Sequence, residues 1–136
     1  MDINESLKNE YSKFFRENKV LQHSVNGFSR FLILWTIKHN GKIHGYAIMK
    51  EIDEFFGILI DDGSLNKISP SKIYPILNKM EETGLITSNS EIQDNKELKF
   101  YEITDKGNFL LEYIRENYLK IKNTSKGSLF FEEFLD

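Results

Sequence analysis

Ile68-Ser69-Pro70-Ser71-Lys72-Ile73-Tyr74-Pro75-Ile76-Leu77-Asn78-Lys79-Met80-Glu81-Glu82-Thr83-Gly84 reads as one helix with a marked start and a marked stop. Ser69 suits the N-cap, where a side-chain oxygen can accept from a free backbone N–H. Pro70 suits the first helical position, where a missing N–H costs nothing. Gly84 suits the position just past the end. Ile73, Ile76, Leu77 and Met80 recur at helical spacing and make one apolar face. Ser71, Lys72, Tyr74, Asn78 and Lys79 make the other, with no carboxylate before Glu81. A small, polar, cationic face is what lying against phosphates and base edges requires. Taken alone, the pattern favours a solvated surface helix, and the neighbouring segments change that balance. Pro75 sets a tension: it cannot donate to Ser71, and its ring crowds that carbonyl. The expectation is a bend in the first turn or a helix that begins near Lys72.

The preceding segments supply two more helices. Residues 28–39 carry Phe28, Phe31, Leu32, Ile33, Leu34, Trp35 and Ile37, a helix apolar on most sides and therefore buried, with Trp35 expected in the core. Asn40-Gly41 stops it. The stretch from Ile43 through Ile52 opens the next helix, with Tyr46, Met49, Ile52, Phe55 and Phe56 on its inner side. His44 fits the end of a loop or a phosphate contact. Gly57 to Leu65 reads as a loop. Asp61-Asp62-Gly63 lacks the further oxygen ligands of a calcium loop and is a turn.

Two strands follow, residues 85–88 and 98–103, joined by the polar segment 89–97 with Asp94-Asn95 at its tip. The order helix, helix, helix, strand, hairpin loop, strand is that of a winged helix-turn-helix, in which the opening stretch is the recognition helix. Thr104 caps a further helix that runs through residue 122, with Asp105 favourable in its first turn. Residues 125–136 read as a flexible joint followed by a compact apolar end. At the N-terminus, residues 3–22 carry Ile3, Leu7, Tyr11, Phe14, Phe15 and Leu21 at amphipathic helical spacing, and His23 to Phe28 breaks the chain at Asn26-Gly27. The implied organisation is an N-terminal amphipathic helix over 1–24, a winged helix-turn-helix over 25–103, and a C-terminal helix and tail over 104–136. The fold class is mostly α with a small β-hairpin.

Composition narrows the function. A chain of 136 residues suits one domain. With no cysteine, disulfide, zinc-thiolate and thiol-nucleophile chemistry are excluded. The N-terminus is polar and acidic, unlike a signal peptide, and no apolar run has the length of a membrane span, so the expected location is cytoplasmic. An enzyme fares poorly: His23, His39 and His44 have no carboxylate cluster near them, and no phosphate loop or nucleophile motif occurs. No metal and no cofactor are expected. The net charge of −3 argues against a strongly basic nucleic-acid binder. Its distribution softens that objection, because Lys67, Lys72 and Lys79 precede or sit on the opening helix while the acids gather elsewhere. The local field steers a polyanion, not the total.

These residues resemble the PadR family of transcriptional regulators. His44-Gly45-Tyr46-Ala47-Ile48 is similar to the start of that family's second helix, and Ser69 through Leu77, with its Tyr74-Pro75 pair, to its recognition helix. Glu81-Glu82-Thr83-Gly84-Leu85-Ile86 resembles its helix-to-strand exit, and Tyr101-Glu102-Ile103-Thr104-Asp105-Lys106-Gly107 its junction after the wing. The resemblance covers residues 28–122. Two departures stand out. The wing tip is Asp94-Asn95-Lys96-Glu97 rather than a basic Gly-Arg-Pro-like turn, and Ser71-Lys72 replaces Gly-Thr, which adds a cation. The resemblance implies a repressor that acts as a homodimer, often relieved by a small-molecule effector. The expected double-stranded DNA contacts are Ser69, Ser71, Lys72, Tyr74, Asn78, Lys79, His44 and Tyr46, with Lys96 and Lys99 on the wing. The expected dimer contacts are Leu7, Tyr11, Phe14, Phe109, Leu110, Tyr113, Ile114 and Ile121. The rival is a winged-helix protein–protein interaction adaptor that binds no DNA, since function does not follow from fold.

Overall fold

The computed structural model describes residues 10, 11 and 13–136. Among these the chain is mostly helical with one small antiparallel sheet. The elements run α1 (Lys19–Asn40), β1 (Ile43–His44), α2 (Gly45–Phe55), α3 (Gly57–Asp61), α4 (Pro70–Glu82), β2 (Ile86–Gln93), β3 (Lys96–Ile103), α5 (Asp105–Lys122) and α6 (Ser125–Phe134).

α1 does not break at Asn26-Gly27. It is continuous from Lys19, so the expected boundary near residue 24 falls inside a helix. Asn18 caps it by accepting from the Leu21 N–H at 3.1 Å, a start signal that the apolar periodicity does not carry. Gly27 has open space around its Cα, so one glycine costs the helix about 1 kcal/mol and does not end it. Gly41, at φ 76°, does end it. Leu32, Ile33, Leu34 and Ile37 are buried, whereas Trp35 is 49 % exposed and stacks on His39. The expectation of a core Trp35 is therefore wrong.

Ile43–His44 is a two-residue strand rather than the first turn of a helix. It pairs with β3 (Ile43 opposite Tyr101, His44 opposite Phe100) and gives the sheet the order β1-β3-β2. On α2, Ile48 and Ile52 are the buried residues, while Tyr46 and Phe55 face outward, contrary to the expected inner side. Gly57–Asp61 forms a short helix where a loop was expected. The turn behind it is as read: Ser64 N–H donates to Asp62 Oδ1 at 2.9 Å, and Gly63 takes φ 84°.

α4 spans Pro70–Glu82 and passes through Pro75, so the helix does not begin late at Lys72 as one of the two expectations had it. Pro75 is exposed, and the Ser71 carbonyl it would have bonded can meet water. Ile73 and Leu77 are fully buried and Met80 nearly so, each worth about 1.5–3 kcal/mol in apolar burial. Gly84 closes the helix at φ 82°, and Leu85 N–H reaches back to the Met80 carbonyl at 2.9 Å.

The hairpin is longer than the expected strands. β2 and β3 pair without interruption from Ile86–Ile103 to Gln93–Lys96. Only Asp94 and Asn95 turn, at φ 51° and 65°, the two-residue geometry whose twist matches the strands. Thr104 caps α5 as expected, accepting from Gly107 N–H at 3.1 Å. The segment after residue 124 is not a flexible joint: Thr124 caps α6, accepting from Gly127 N–H at 3.0 Å. The core gathers α1, α2, α4 and all three strands, β2 through Ile86, into one cluster that leaves the outward face of α4 uncovered.

Candidate nucleic-acid interface

α4 is held from below by Ile73, Leu77 and Met80 and at its start by α2. Asp53 Oδ1 accepts from the Ile68 N–H at 2.9 Å, which ties the last turns of α2 to the residue before the Ser69 cap. At its far end Lys106 Nζ donates to the Thr83 carbonyl at 2.8 Å, a cation on the negative end of the helix. The outward face then carries Ser71, Lys72, Tyr74, Pro75, Asn78 and Lys79, all exposed. Lys72 and Lys79 form no ion pair among the described residues, where the two pairs are Lys42–Glu91 and Lys99–Glu81.

The start of α4 offers fewer donors than its sequence implies. Ser69 Oγ lies 3.0 Å from Ser71 Oγ and makes no capping bond to the backbone. The N–H groups of Lys72 and Ile73 both donate to the Ser69 carbonyl at 3.0 Å. Pro70 has no N–H, which leaves the Ser71 N–H as the free donor of this turn among the described residues.

His44 is occupied locally. Its Nδ1 accepts from Ala47 N–H at 3.4 Å at the start of α2, and its ring meets Phe100 edge-on. Tyr46, two residues on, is 64 % exposed. Tyr74 crosses from α4 to this same corner. A Cβ on Gly45 would stand 2.5 Å from Tyr74 Oη and 2.8 Å from the ring, so the ring lies where any larger residue would be. Tyr101 is buried beneath it. Burial, then the neighbouring Tyr74 and Glu81, push the Tyr101 hydroxyl above its ordinary pKa, so the ring stays neutral and its edge stays packed.

The wing differs. Lys99 is engaged with Glu81 at 3.8 Å, and Glu81 also accepts from Ser88 Oγ at 2.6 Å. Lys42 bridges from the α1–β1 turn to Glu91 on β2 and lies over the Phe100 ring. Lys96 is exposed beside the turn, with Asp94 and Glu97 around it. The expected site residues therefore divide into those brought together on α4, those at the Gly45 corner, and two lysines on a mostly acidic hairpin.

Of the expected dimer residues, Leu7 lies outside the described residues. Tyr11, Phe14, Phe109, Tyr113 and Ile121 are exposed at 47, 56, 74, 55 and 51 %, and Leu110 and Ile114 are half-buried. α5 buries only Gly107, whose missing Cβ would meet the Leu85 carbonyl at 2.3 Å.

The chain matches the model of the transcriptional regulator PadR-like family over residues 33–113, well over half its length. It belongs to the PadR-like family. Among solved structures it is similar to a PadR family transcriptional regulator from Eggerthella lenta DSM 2243 (23 % identity, TM-score 0.61, 82 % of this chain and 88 % of that one). It is also similar to a PadR-like transcriptional regulator from Bacillus cereus strain ATCC 14579 (23 %, TM-score 0.61, 79 % and 96 %). A third, from Streptococcus mutans UA159, shares 26 % identity at a TM-score of 0.55 over 74 % and 84 %. No curated protein matches the chain significantly. The family is one of transcription regulators and not of enzymes. Among the described residues no group of three or more acidic or His side chains is placed to hold a metal, and no helix is long and apolar enough to cross a membrane.

In this PadR-like chain the two stretches that carry the family resemblance most clearly, His44-Gly45-Tyr46 and Tyr74-Pro75, meet in space through Tyr74 and Gly45. Sequence reasoning placed Tyr74 on the outward face and did not see its seat. The available signal was a glycine at the first position of a helix, where a side chain is ordinarily tolerated. Asp53 and Glu81 were also missed as positioning residues. Neither stands out among the acids of the chain until its hydrogen bonds are drawn.

Proposed function

We propose that the chain is a sequence-specific DNA-binding transcription regulator that acts as a homodimer in the cytoplasm and represses its targets. The observation that carries this reading is the uncovered face of α4, where Lys72, Asn78 and Lys79 stand exposed around Tyr74 on a helix anchored by buried Ile73 and Leu77. A helix so mounted can enter a major groove. Asn78 has the donor–acceptor pair that matches an adenine edge, and Lys72 and Lys79 suit guanine or phosphate. Ser69, Ser71 and the free Ser71 N–H suit a backbone phosphate at the helix start. Tyr46 and the Tyr74 hydroxyl flank it, and Lys96 and Lys99 add lesser contacts from the wing. His44 orients the corner through its cap.

The apolar surface of α5 supports pairing of two chains. Phe109, Tyr113 and Ile121 are too exposed for a helix that ends its work inside one copy, and Tyr11 and Phe14 add to the same need. A two-fold dimer would set the recognition helices about 34–36 Å apart, one turn of duplex, and would read a pseudo-palindromic operator. A small-molecule effector that relieves repression fits between the paired aromatic surfaces.

Titration of the chain with duplex from the region upstream of its own gene, at several salt concentrations, tests the reading. The expected result is a negative log–log slope of modest size, since each phosphate neutralised adds about 0.9 to the slope. No binding to any duplex would favour the adaptor. Sedimentation at micromolar concentration should give twice the chain mass, and a single-chain mass would remove the dimer.

A further inference from the structure

A second polar site lies beside the start of α4. A cleft of about 420 Å³ opens between α1, the end of α2, the 62–69 turn and the first turn of α4. Arg16, Lys67 and Lys72 line it against a single carboxylate, Asp53, which is already held by the Ile68 N–H. Two serines in its wall are more than nine-tenths buried: Ser29, at 6 % exposure, and Ser64, at 4 %. Ser29 Oγ donates to the Val25 carbonyl at 2.6 Å and keeps its lone pairs. Ser64 Oγ has no hydrogen-bond partner among the described residues, yet it is not sealed off: the buried side-chain oxygen without a partner is Asn108 Oδ1. Because that hydroxyl opens onto the cleft, water or a bound ligand can meet it there.

We propose that this cleft binds a phosphoryl group. Three cations and several hydroxyls match a dianion with many acceptor oxygens better than they match a single carboxylate. Ile52, Phe56 and Ile60 add an apolar wall that a bare phosphate does not use, and the volume lies at the small end of the range for organic ligands. A phosphorylated small molecule uses both parts of the cleft; a DNA backbone phosphate uses only the polar part. The site does not depend on the regulator reading, because the phosphoryl group itself is the probe.

Backbone amide shifts of the full chain, titrated with ribose 5-phosphate, inorganic phosphate or ribose at constant ionic strength, test it. Saturable shifts of the Ser64, Asn66 and Lys67 amides with both phosphates, and none with ribose, are expected. Lys67→Ala and Arg16→Ala, both at exposed positions, should each weaken binding about fivefold while melting at the wild-type temperature. Absence of saturable shifts, or variants that bind as well as wild type, overturns the site. Duplex DNA then identifies the source. If duplex shifts the same amides and ribose 5-phosphate competes with it, the phosphoryl group is the DNA backbone's. If duplex shifts only α4 beyond Tyr74, it belongs to a free ligand. Ribose 5-phosphate binding with no duplex binding at all sinks the DNA reading and leaves this site standing.

Discussion

α4 and the β2–β3 wing stand side by side and carry similar numbers of lysines, but they use them in opposite ways. Lys72 and Lys79 on α4 project from a rigid base without ion-pair partners among the described residues. On the wing, Lys99 is drawn back onto Glu81, and the tip turns through Asp94 and Asn95. An unpaired cation gains the full attraction of a phosphate, whereas a paired one must first give up its partner. Glu81 makes the difference sharper, because its carboxylate turns toward the wing and away from the outward face of α4. Under the proposed function the helix meets the polyanion, and the wing braces the helix.

The largest expected effect tests the base. Leu77→Ala removes a fully buried side chain under α4 and should cost about 2–5 kcal/mol. Ile92→Ala on the wing, where the side chain is 79 % exposed, should stay within about 0.5 kcal/mol. Urea unfolding of both variants at one protein concentration measures the contrast. Equal losses would mean that the wing is as deeply seated as the helix.

Next comes charge. Replacing Lys72 and Lys79 together by Ala should weaken duplex binding at least about tenfold and lower the salt slope by about 0.9 for each phosphate no longer neutralised. Replacing Lys96 and Lys99 together should cost about twofold, since one is already engaged and exposed pairs are worth little. Titrations at matched salt settle which pair matters, and the reverse ranking would make the wing the reader.

The contrast between helix and wing was partly legible in the sequence. The apolar period of Ile73, Leu77 and Met80, the Ser69-Pro70 start and the Gly84 stop located α4, because local rules set both ends of a helix. The acidic tip at Asp94-Asn95 was legible too, since few residues accept positive φ at two successive positions. What failed was long-range. β1 is two residues whose strand identity comes entirely from Tyr101 and Phe100 across the sheet. α1 persists through Gly27 because its capped start at Asn18 and the burial of Leu32, Ile33, Leu34 and Ile37 outweigh one glycine. The Lys99–Glu81 pair, the Asp53 tie and the seat of Tyr74 on Gly45 join residues distant in the chain, and no local pattern announces them.

That seat gives a prediction of intermediate size. Gly45→Ala places a methyl 2.5 Å from Tyr74 Oη, so the ring must leave the corner. Duplex affinity should fall about threefold, and stability should fall measurably. In a Tyr74→Ala background the same change should cost nothing, because no ring remains to displace. Additive losses in the double variant would show that Gly45 is needed for its backbone alone.

The smallest effect reads the junction between the two regions. Tyr101 belongs to β3, yet the groups that help raise its pKa, Tyr74 and Glu81, both belong to α4. The folded chain favours the neutral phenol, so Tyr101 supports folding fully below its ordinary pKa of 10.0. That support is lost as the pH climbs past 10.0, since the unfolded chain ionises first. Melting temperatures between about pH 8 and 11 should therefore fall more steeply for wild type than for Tyr101→Phe, whose ring cannot ionise. Glu81→Gln should narrow that difference by removing one of the charges that opposes the phenolate. If both variants follow the wild-type curve, Tyr101 does not sense α4, and helix and wing are packed together without being electrostatically joined.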